Sequence, residues 1–274
     1  MESTIPSLCV LTSTICSVLG IRKPSMSKEG PLDDELERVG REYRICLVVV
    51  DSLGNSPLDH HGHHLPYLQS LRERHCMTLK AESPPHTSAN VASLLTGAPP
   101  SVHGVTSKDI DLKCESLFDV MAQCALVTSV VACEKPSLRC LFSQRSSEMN
   151  RLSGGDDRVV FQRAERVIRE LHPHFLWIHL SDFDRLSHSF GSESDECARA
   201  LMQIDRSAAE LESLLQKHSY AMLVTADHGQ HSVCNGRGGM TAVHDGSDAG
   251  DFLVPLLSMS SPHGIILSQS GRDL

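Results

Sequence analysis

An unbroken apolar run, Ala221-Met-Leu-Val-Thr-Ala226, ends on Asp227 and His228, with Gly229 next. Two further runs have the same form. Ile45–Val50 ends on Asp51, and Phe175–Leu180 stops just short of Asp182 and Asp184. None of them alternates polar with apolar residues, so each needs cover on both faces, as the strands of a parallel sheet do. Helical patterns lie between them, at Leu32–Val39, Pro66–Arg74, Ser88–Leu95, Ser116–Cys124, Arg158–Leu171 and Glu196–Lys217, and further strands at Met77–Ala81, Ala125–Ala132 and Phe252–Met259. This alternation predicts an α/β domain with a mostly parallel central sheet between layers of helices. Ligands of such sheets collect at the carboxyl ends of the strands. Strands that deliver Asp51 and the Asp227-His228 pair to that rim therefore point to an active site assembled around metal.

The 274 residues suit one large domain, with residues 1–43 as a helical extension and linker and 44–274 as the catalytic domain. Aromatic residues make up only 4% of the chain, so Val, Leu, Ile, Met and Ala must build the core. A net charge of −9 argues against a surface for duplex nucleic acid. A phosphorylated small molecule stays compatible with that charge, because bound divalent ions reverse its sign locally. The ten cysteines include no C-x-x-C pair, and residues such as Cys46, Cys124 and Cys133 read as buried free thiols of a reducing compartment. Residues 3–20 are uncharged but rich in Ser, Thr and Pro, and Glu2 stands where a signal peptide needs basic residues. Leu8, Leu11, Ile15 and Val18 recur at helical spacing, which predicts a surface helix docked on the body and not a membrane anchor. The expected location is cytoplasmic.

Several polar positions carry chemistry. Thr87 heads the helix that starts in Ser83-Pro-Pro-His-Thr87-Ser-Ala-Asn90, where helix amides favour an anion; the alternative is an ordinary N-cap. Asp184 and His188 are four residues apart, a spacing that puts two ligands on one face of a turn or helix start. Asp182 is a rival to Asp184. His244 lies in a glycine-rich stretch before the last strand, and Asp245, Asp248 and Asp251 could orient it from an outer shell. His60, His61, His63 and His64 read as a solvated loop before a third metal site.

In order along the chain, Val-Val-Val-Asp51, Thr87-x-x-Asn90 with Thr96-Gly97 and His103-Gly104, Asp184-x-x-x-His188, Thr225-Ala-Asp227-His228-Gly229, and His244 before Val254-Pro255-Leu256 resemble the alkaline phosphatase superfamily, in its nucleotide pyrophosphatase/phosphodiesterase-like branch. The resemblance runs from about Ile45 to Leu257. It implies that core fold without a large cap domain, and two divalent ions. Asp51, Thr87, Asp227 and His228 would hold one ion; Asp184, His188 and His244 would hold the other. Zinc suits such a mixed set best, with manganese and iron as alternatives. Thr87 would attack phosphorus and pass through a phosphothreonine, and Asn90 and Lys108 would contact the substrate. Lys108 stands where that branch carries an asparagine, and a cation there suits a monoester or phosphonate better than a neutral amide does. Only fifteen residues separate His228 from His244, too few for an inserted cap, so an open site is expected. Any lid would come from 53–66 or 134–156.

The resulting expectation is a hydrolase of phosphodiester or nucleotide pyrophosphate bonds. A monoesterase or phosphonate hydrolase on the same scaffold is the first rival, and a catalytically inactive metal-binding protein the second. A phosphoglycerate mutase would use a serine and a large inserted domain, and a sulfatase would show a Cys-x-Pro-x-Arg motif that this chain lacks.

Overall fold

A computed structural model describes residues 5–142, 148–152, 156–236 and 238–262 of the chain. Seven strands form the main sheet: β1 (Ile45–Val50), β2 (Cys76–Lys80), β3 (Thr128–Cys133), β4 (Glu148–Leu152), β5 (Phe175–Leu180), β6 (Ala221–Thr225) and β9 (Leu253–Met259). Their order is β2-β9-β6-β1-β5-β3-β4. β1, β3, β4, β5 and β6 run parallel to one another, and only β9 pairs antiparallel, with β6 and β2. Every residue of β1, β5 and β6 is buried, in keeping with their mainly apolar sequence, which only His179 and Thr225 interrupt. A fully buried Leu or Val contributes roughly 1.5–3 kcal/mol, so this central trio anchors the domain.

Two groups of helices cover the sheet. One contains Pro66–Arg74, Asp157–Leu171 and Asp195–Lys217; the other contains Val10–Leu19, Thr87–Thr96, Leu117–Gln123 and Pro136–Phe142. Pro66–Arg74 has no side-chain cap of its own. Asp205, from the neighbouring long helix, supplies one by accepting from Leu68 N at 2.8 Å and Tyr67 N at 3.3 Å. The few aromatics cluster, with Phe142 and Trp177 ring centres 5.3 Å apart and Phe118 and Phe175 5.8 Å apart.

The N-terminal helix, expected on the surface, is buried on almost every side: Leu8, Leu11 and Ile15 are fully enclosed, and so are Thr12, Ser13 and Thr14. Its polar residues tolerate this because each finds a backbone partner. Thr12 donates to Leu94 O, Ser13 to Gly30 O and Thr14 to Val10 O. Residues 6–8 also pair with the outer edge of β2 through Leu8 N to Lys80 O and Lys80 N to Pro6 O, both 2.8 Å. An edge strand that would otherwise be open is thereby closed. Cys46 is buried as expected, but Cys124, at the end of its helix, is exposed and Cys133 is half-buried. No helix among the described residues is long and apolar enough to cross a membrane.

Register fixes the functional rim. Val50 pairs with Leu180 and Val49 with Thr225, so Asp51, the 181–184 turn and Asp227-His228 leave the sheet side by side. Ala132 pairs with His179, which brings the segment after β3 to the same edge. Between His228 and His244 the chain folds into a short hairpin, β7 (His231–Cys234) and β8 (Met240–Val243), in place of a cap domain. Asn55–His61, read as loop from the sequence, is helical.

Candidate metal centre

Thr87 is the first residue of its helix and His86 takes the N-cap, so the helix does not use the threonine hydroxyl as a cap. Thr87 Oγ1 lies 3.4 Å from Asp51 Oδ1 and 3.4 Å from His228 Nε2. Asp51, Asp227 and His228 form one buried group whose ligand atoms lie within 4.8 Å of one another, and Asp184, His188 and His244 form a second. Six of the seven residues expected as ligands from the sequence make up these two groups, and the seventh, Thr87, lies against the first. Asp182 turns away from them: it accepts from Asp157 N at 2.8 Å and from Arg185.

Local backbone geometry delivers these side chains. Ser52, just after Asp51, adopts φ 61°, a conformation that costs a non-glycine residue energy and concentrates at functional turns. That turn aims Ser52 N at Asp227 Oδ1, 3.1 Å away, which locks the two strand ends together. Gly229 has no room for a side chain, because a β-carbon there would meet the Gly250 carbonyl oxygen and the Gly54 backbone.

The three histidines share one arrangement. His228 Nδ1 is 2.9 Å from Gly229 O, His188 Nδ1 is 2.9 Å from Ala242 O, and His244 Nδ1 is 2.8 Å from Pro85 O. A carbonyl only accepts, so each Nδ1 carries the proton and each Nε2 turns a lone pair inward. Backbone partners of this kind are how proteins orient histidine ligands. Asp227 Oδ2 is buried with no hydrogen-bond partner, and Asp184 Oδ1, also buried, has only the His188 Nε2 lone pair beside it at 3.3 Å. Three inward lone pairs and two orphaned carboxylate oxygens are what cations would satisfy, so the residues present fit a pair of divalent ions.

The electrostatics agree. Burial and the Asp51 charge push the Asp227 carboxyl up to about 8, the response of an acid that lacks its counter-ion. At Asp51 burial acts the same way, but Lys135, His179 and His228 outweigh it and hold the group well below the usual carboxylate range. Burial and Asp51 raise Asp184 too, and His188 and Lys135 overcome them. The neighbouring Asp184 carboxylate in turn raises His188, whereas burial and His228 lower His244.

Other expected residues are placed differently. Asn90 is fully buried, and its amide is committed to the turn before Thr87: Oδ1 accepts from Glu82 N at 2.7 Å, while Nδ2 reaches Glu82 O and Pro84 O, each at 3.1 Å. Lys108 is exposed on the turn beyond the Pro100–His103 helix. Asp251 does not orient His244; it pairs with His231 at 2.7 Å and accepts from Gly246 N at 2.9 Å. His61 is bound to Ser192 O, and His60, His63 and His64 join no ligand group among the described residues.

Three residues went unnoticed in the sequence. Lys135 Nζ lies 2.8 Å from Asp51 Oδ2 and 3.3 Å from Asp184 Oδ2. His179, enclosed within β5, places Nε2 3.4 Å from Asp51 Oδ2. His86 sets its ring edge-on to His244, with centres 5.7 Å apart. Lys135 follows a strand end, so the rule that found Asp51 could have found it; a lone histidine in Phe-Leu-Trp-Ile-His179-Leu was a weaker signal.

A model of the type I phosphodiesterase / nucleotide pyrophosphatase family matches residues 45–119 and 137–256, more than half of the chain, and the matched stretches include the seven positions expected as ligands. Lys135 lies in the gap between the two matched stretches. No curated protein sequence matches. Among solved structures, phosphonoacetate hydrolase from Sinorhizobium meliloti 1021, in complex with phosphonoacetate, superposes with TM-score 0.58 at 21% identity. That match covers 69% of this chain and 57% of the other, so this chain spans a little over half of that enzyme's length. Murine ectonucleotide pyrophosphatase/phosphodiesterase 5, an inactive threonine-to-alanine variant in complex with AMP, gives 0.60 at 13% identity, over 72% of this chain and 59% of that one. The C-terminal periplasmic domain of EcEptC from Escherichia coli, in complex with Zn, gives 0.57 at 17% identity, over 82% and 74%. At these identities the likeness concerns the fold.

Proposed function

The chain belongs to the type I phosphodiesterase / nucleotide pyrophosphatase family, and from that premise we propose that it hydrolyses phosphate esters of small molecules with Thr87 as the nucleophile. The observation that carries the reading is the position of Thr87 Oγ1, 3.4 Å from both Asp51 Oδ1 and His228 Nε2 and not used as a helix cap. Asp51, Thr87, Asp227 and His228 would hold one divalent ion, and Asp184, His188 and His244 the other. Zinc is our first choice, given three imidazole and three carboxylate donors. Bound there, such ions would supply Lewis-acid stabilisation of a phosphoryl group and lower the pKa of a bound hydroxyl.

The chain's own residues account for the rest. The Thr87 oxygen attacks phosphorus in line, a P–O bond forms as the bond to the departing alcohol or phosphate breaks, and a phosphothreonine results. Water then attacks that phosphorus, restoring the Thr87 hydroxyl and releasing the phosphorylated product. Asn90 serves as a positioning residue, because its amide fixes the 82–86 turn from which Thr87 projects. The murine relative offers support, since its inactive form replaces a threonine by alanine.

Phosphodiester or nucleotide pyrophosphate bonds are the first substrates to test. Lys135 favours a second reading. It brings a further positive charge to the centre, 2.8 Å from Asp51 and 3.3 Å from Asp184. An added cation suits the second negative charge of a monoester or phosphonate. A diester, a monoester and a phosphonate carrying the same chromogenic phenol separate the readings on zinc-loaded protein. Thr87→Ala should lower turnover of the preferred substrate by about 10³-fold or more. Near-normal turnover in that variant rules out the covalent route, and turnover that persists after exhaustive chelation rules out the metals.

A further inference from the structure

Lys135 binds one carboxylate from each ligand group, and the two carboxylates divide their oxygens in the same way. Asp51 turns Oδ1 to Thr87 at 3.4 Å and His228 at 3.6 Å, and Oδ2 to Lys135 at 2.8 Å and His179 at 3.4 Å. Asp184 turns Oδ1 to His188 at 3.3 Å and Oδ2 to Lys135 at 3.3 Å. We propose that Lys135 is a permanent third cation of this centre, a positioning residue that bridges Asp51 and Asp184 and confines each to metal ligation through Oδ1. The proposal rests on the two-metal reading and adds a component from outside the stretches that the family model matches.

The opposite arrangement would be an ammonium that fills a metal position and must leave when metal arrives. The orphaned atoms speak against it. Asp227 Oδ2 has no hydrogen-bond partner, Asp184 Oδ1 is left to the His188 ring at 3.3 Å, and Lys135 touches neither oxygen. An occupant of a metal position would have satisfied them. Instead the ammonium lies on the far oxygens, where it can remain while both ligand groups are filled. His179 strengthens the hold: its buried ring reaches the same Asp51 oxygen, so two donors occupy Oδ2 and only Oδ1 faces Thr87. A carboxylate ligates through one oxygen or two, and the choice sets the coordination number. A fixed cation on one oxygen removes the choice.

The test has two arms, neither of which reads turnover. A crystal structure of the zinc-loaded wild-type protein should keep Lys135 Nζ within hydrogen-bond reach of both Oδ2 atoms. Finding Lys135 swung away, with Asp51 or Asp184 chelating through both oxygens, overturns the proposal. In the second arm cobalt replaces zinc in wild type, Lys135→Met and Lys135→Arg at equal occupancy. Freed carboxylates in Lys135→Met should chelate and raise the coordination number, so that its visible absorption loses most of its intensity, while Lys135→Arg stays near wild type. Identical spectra for wild type and Lys135→Met also overturn it. If wild type binds neither zinc nor cobalt, the two-metal reading itself has failed, and the two failures are told apart. Should Lys135→Met not fold, the crystallographic arm still decides.

Discussion

Gly229 stands where three backbone segments meet: the turn after β1, the turn after β6 and the approach to β9. A β-carbon on Gly54 would meet the Gly229 α-carbon, and the Gly229 amide donates to Asp251 O at 2.8 Å. A methyl group at this point would meet the Gly250 carbonyl, and backbone cannot yield as a flexible side chain can. Gly229→Ala should therefore cost about 1–3 kcal/mol, occasionally more, and should displace the adjacent His228. Denaturant melts together with zinc stoichiometry check this. A variant as stable as wild type that still binds two zinc ions would show that the contact relaxes freely. Legibility at this scale followed chemistry. Asp51, Asp227 and His228 could be read because a carboxylate or imidazole at the end of a buried apolar strand is costly unless a partner awaits it. Lys135 was within reach of the same strand-end rule and was passed over, and the role of Asn90 was misjudged, because an amide in a helix is ordinary until its partners are known.

Among the elements, the β7–β8 hairpin matters most to the centre. Its strand β8 braces the Asp182–Phe190 helix, with Ala242 O receiving the His188 ring and Thr241 Oγ1 donating to His188 O at 2.7 Å. Ser232 accepts from Ser192 N at 3.0 Å, tying β7 to the end of the same helix. The segment is thus a strut for one ligand group. Thr241→Val keeps the shape and removes the hydroxyl, so affinity for the ion at Asp184, His188 and His244 should fall about tenfold, while the Asp51 group keeps its own. Calorimetric titration resolves the two events, and an equal loss at both would contradict the assignment. The hairpin was hard to read because its strands are short and half-exposed, although Asn235-Gly236 between Val233 and Met240 is a recognised turn signal. Ile45–Val50 and Phe175–Leu180, by contrast, were legible to the residue, since central strands have the strongest patterns. The N-terminal helix was legible in its period but not in its burial. Nothing in Thr12-Ser13-Thr14 announces the carbonyls that absorb those hydroxyls.

On the scale of the whole molecule, stability and metal content are linked through Asp227. Without metal, burial and Asp51 push its carboxyl up to about 8, whereas in the unfolded chain it titrates near the ordinary value of roughly 3.9. Between those values the folded state holds a proton that the unfolded state has released. Stability is then fully present at low pH and is lost as pH rises through the folded pKa. Between pH 7 and pH 9 cysteine thiols add a decline of the same sign, because burial raises Cys9, Cys16, Cys46, Cys76, Cys133 and Cys197 above the ordinary thiol range, so the Asp227 share is the part that zinc binding removes. The lowered values of His86, His103 and His244 act below that window, and the depressed values of Asp51 and Asp184 act far below. Asp157, raised to about 7 by burial and Asp182, adds a smaller decline of the same sign, and so does His188, raised by Asp184. Chelated protein should therefore lose on the order of 1 kcal/mol more than zinc-loaded protein between pH 7 and pH 9, a few degrees of melting temperature for a chain of this size. Zinc-loaded protein should not share that part of the decline, because a bound ion keeps Asp227 ionised at both pH values. Asp227→Asn should remove the same part from the chelated profile, since the amide has no proton to lose. Melting curves at the two pH values, with and without zinc, test the linkage. A chelated protein that declines no more than zinc-loaded protein between pH 7 and pH 9 would mean that Asp227 is not a carboxylate awaiting a cation, and the metal centre would lose its main electrostatic support.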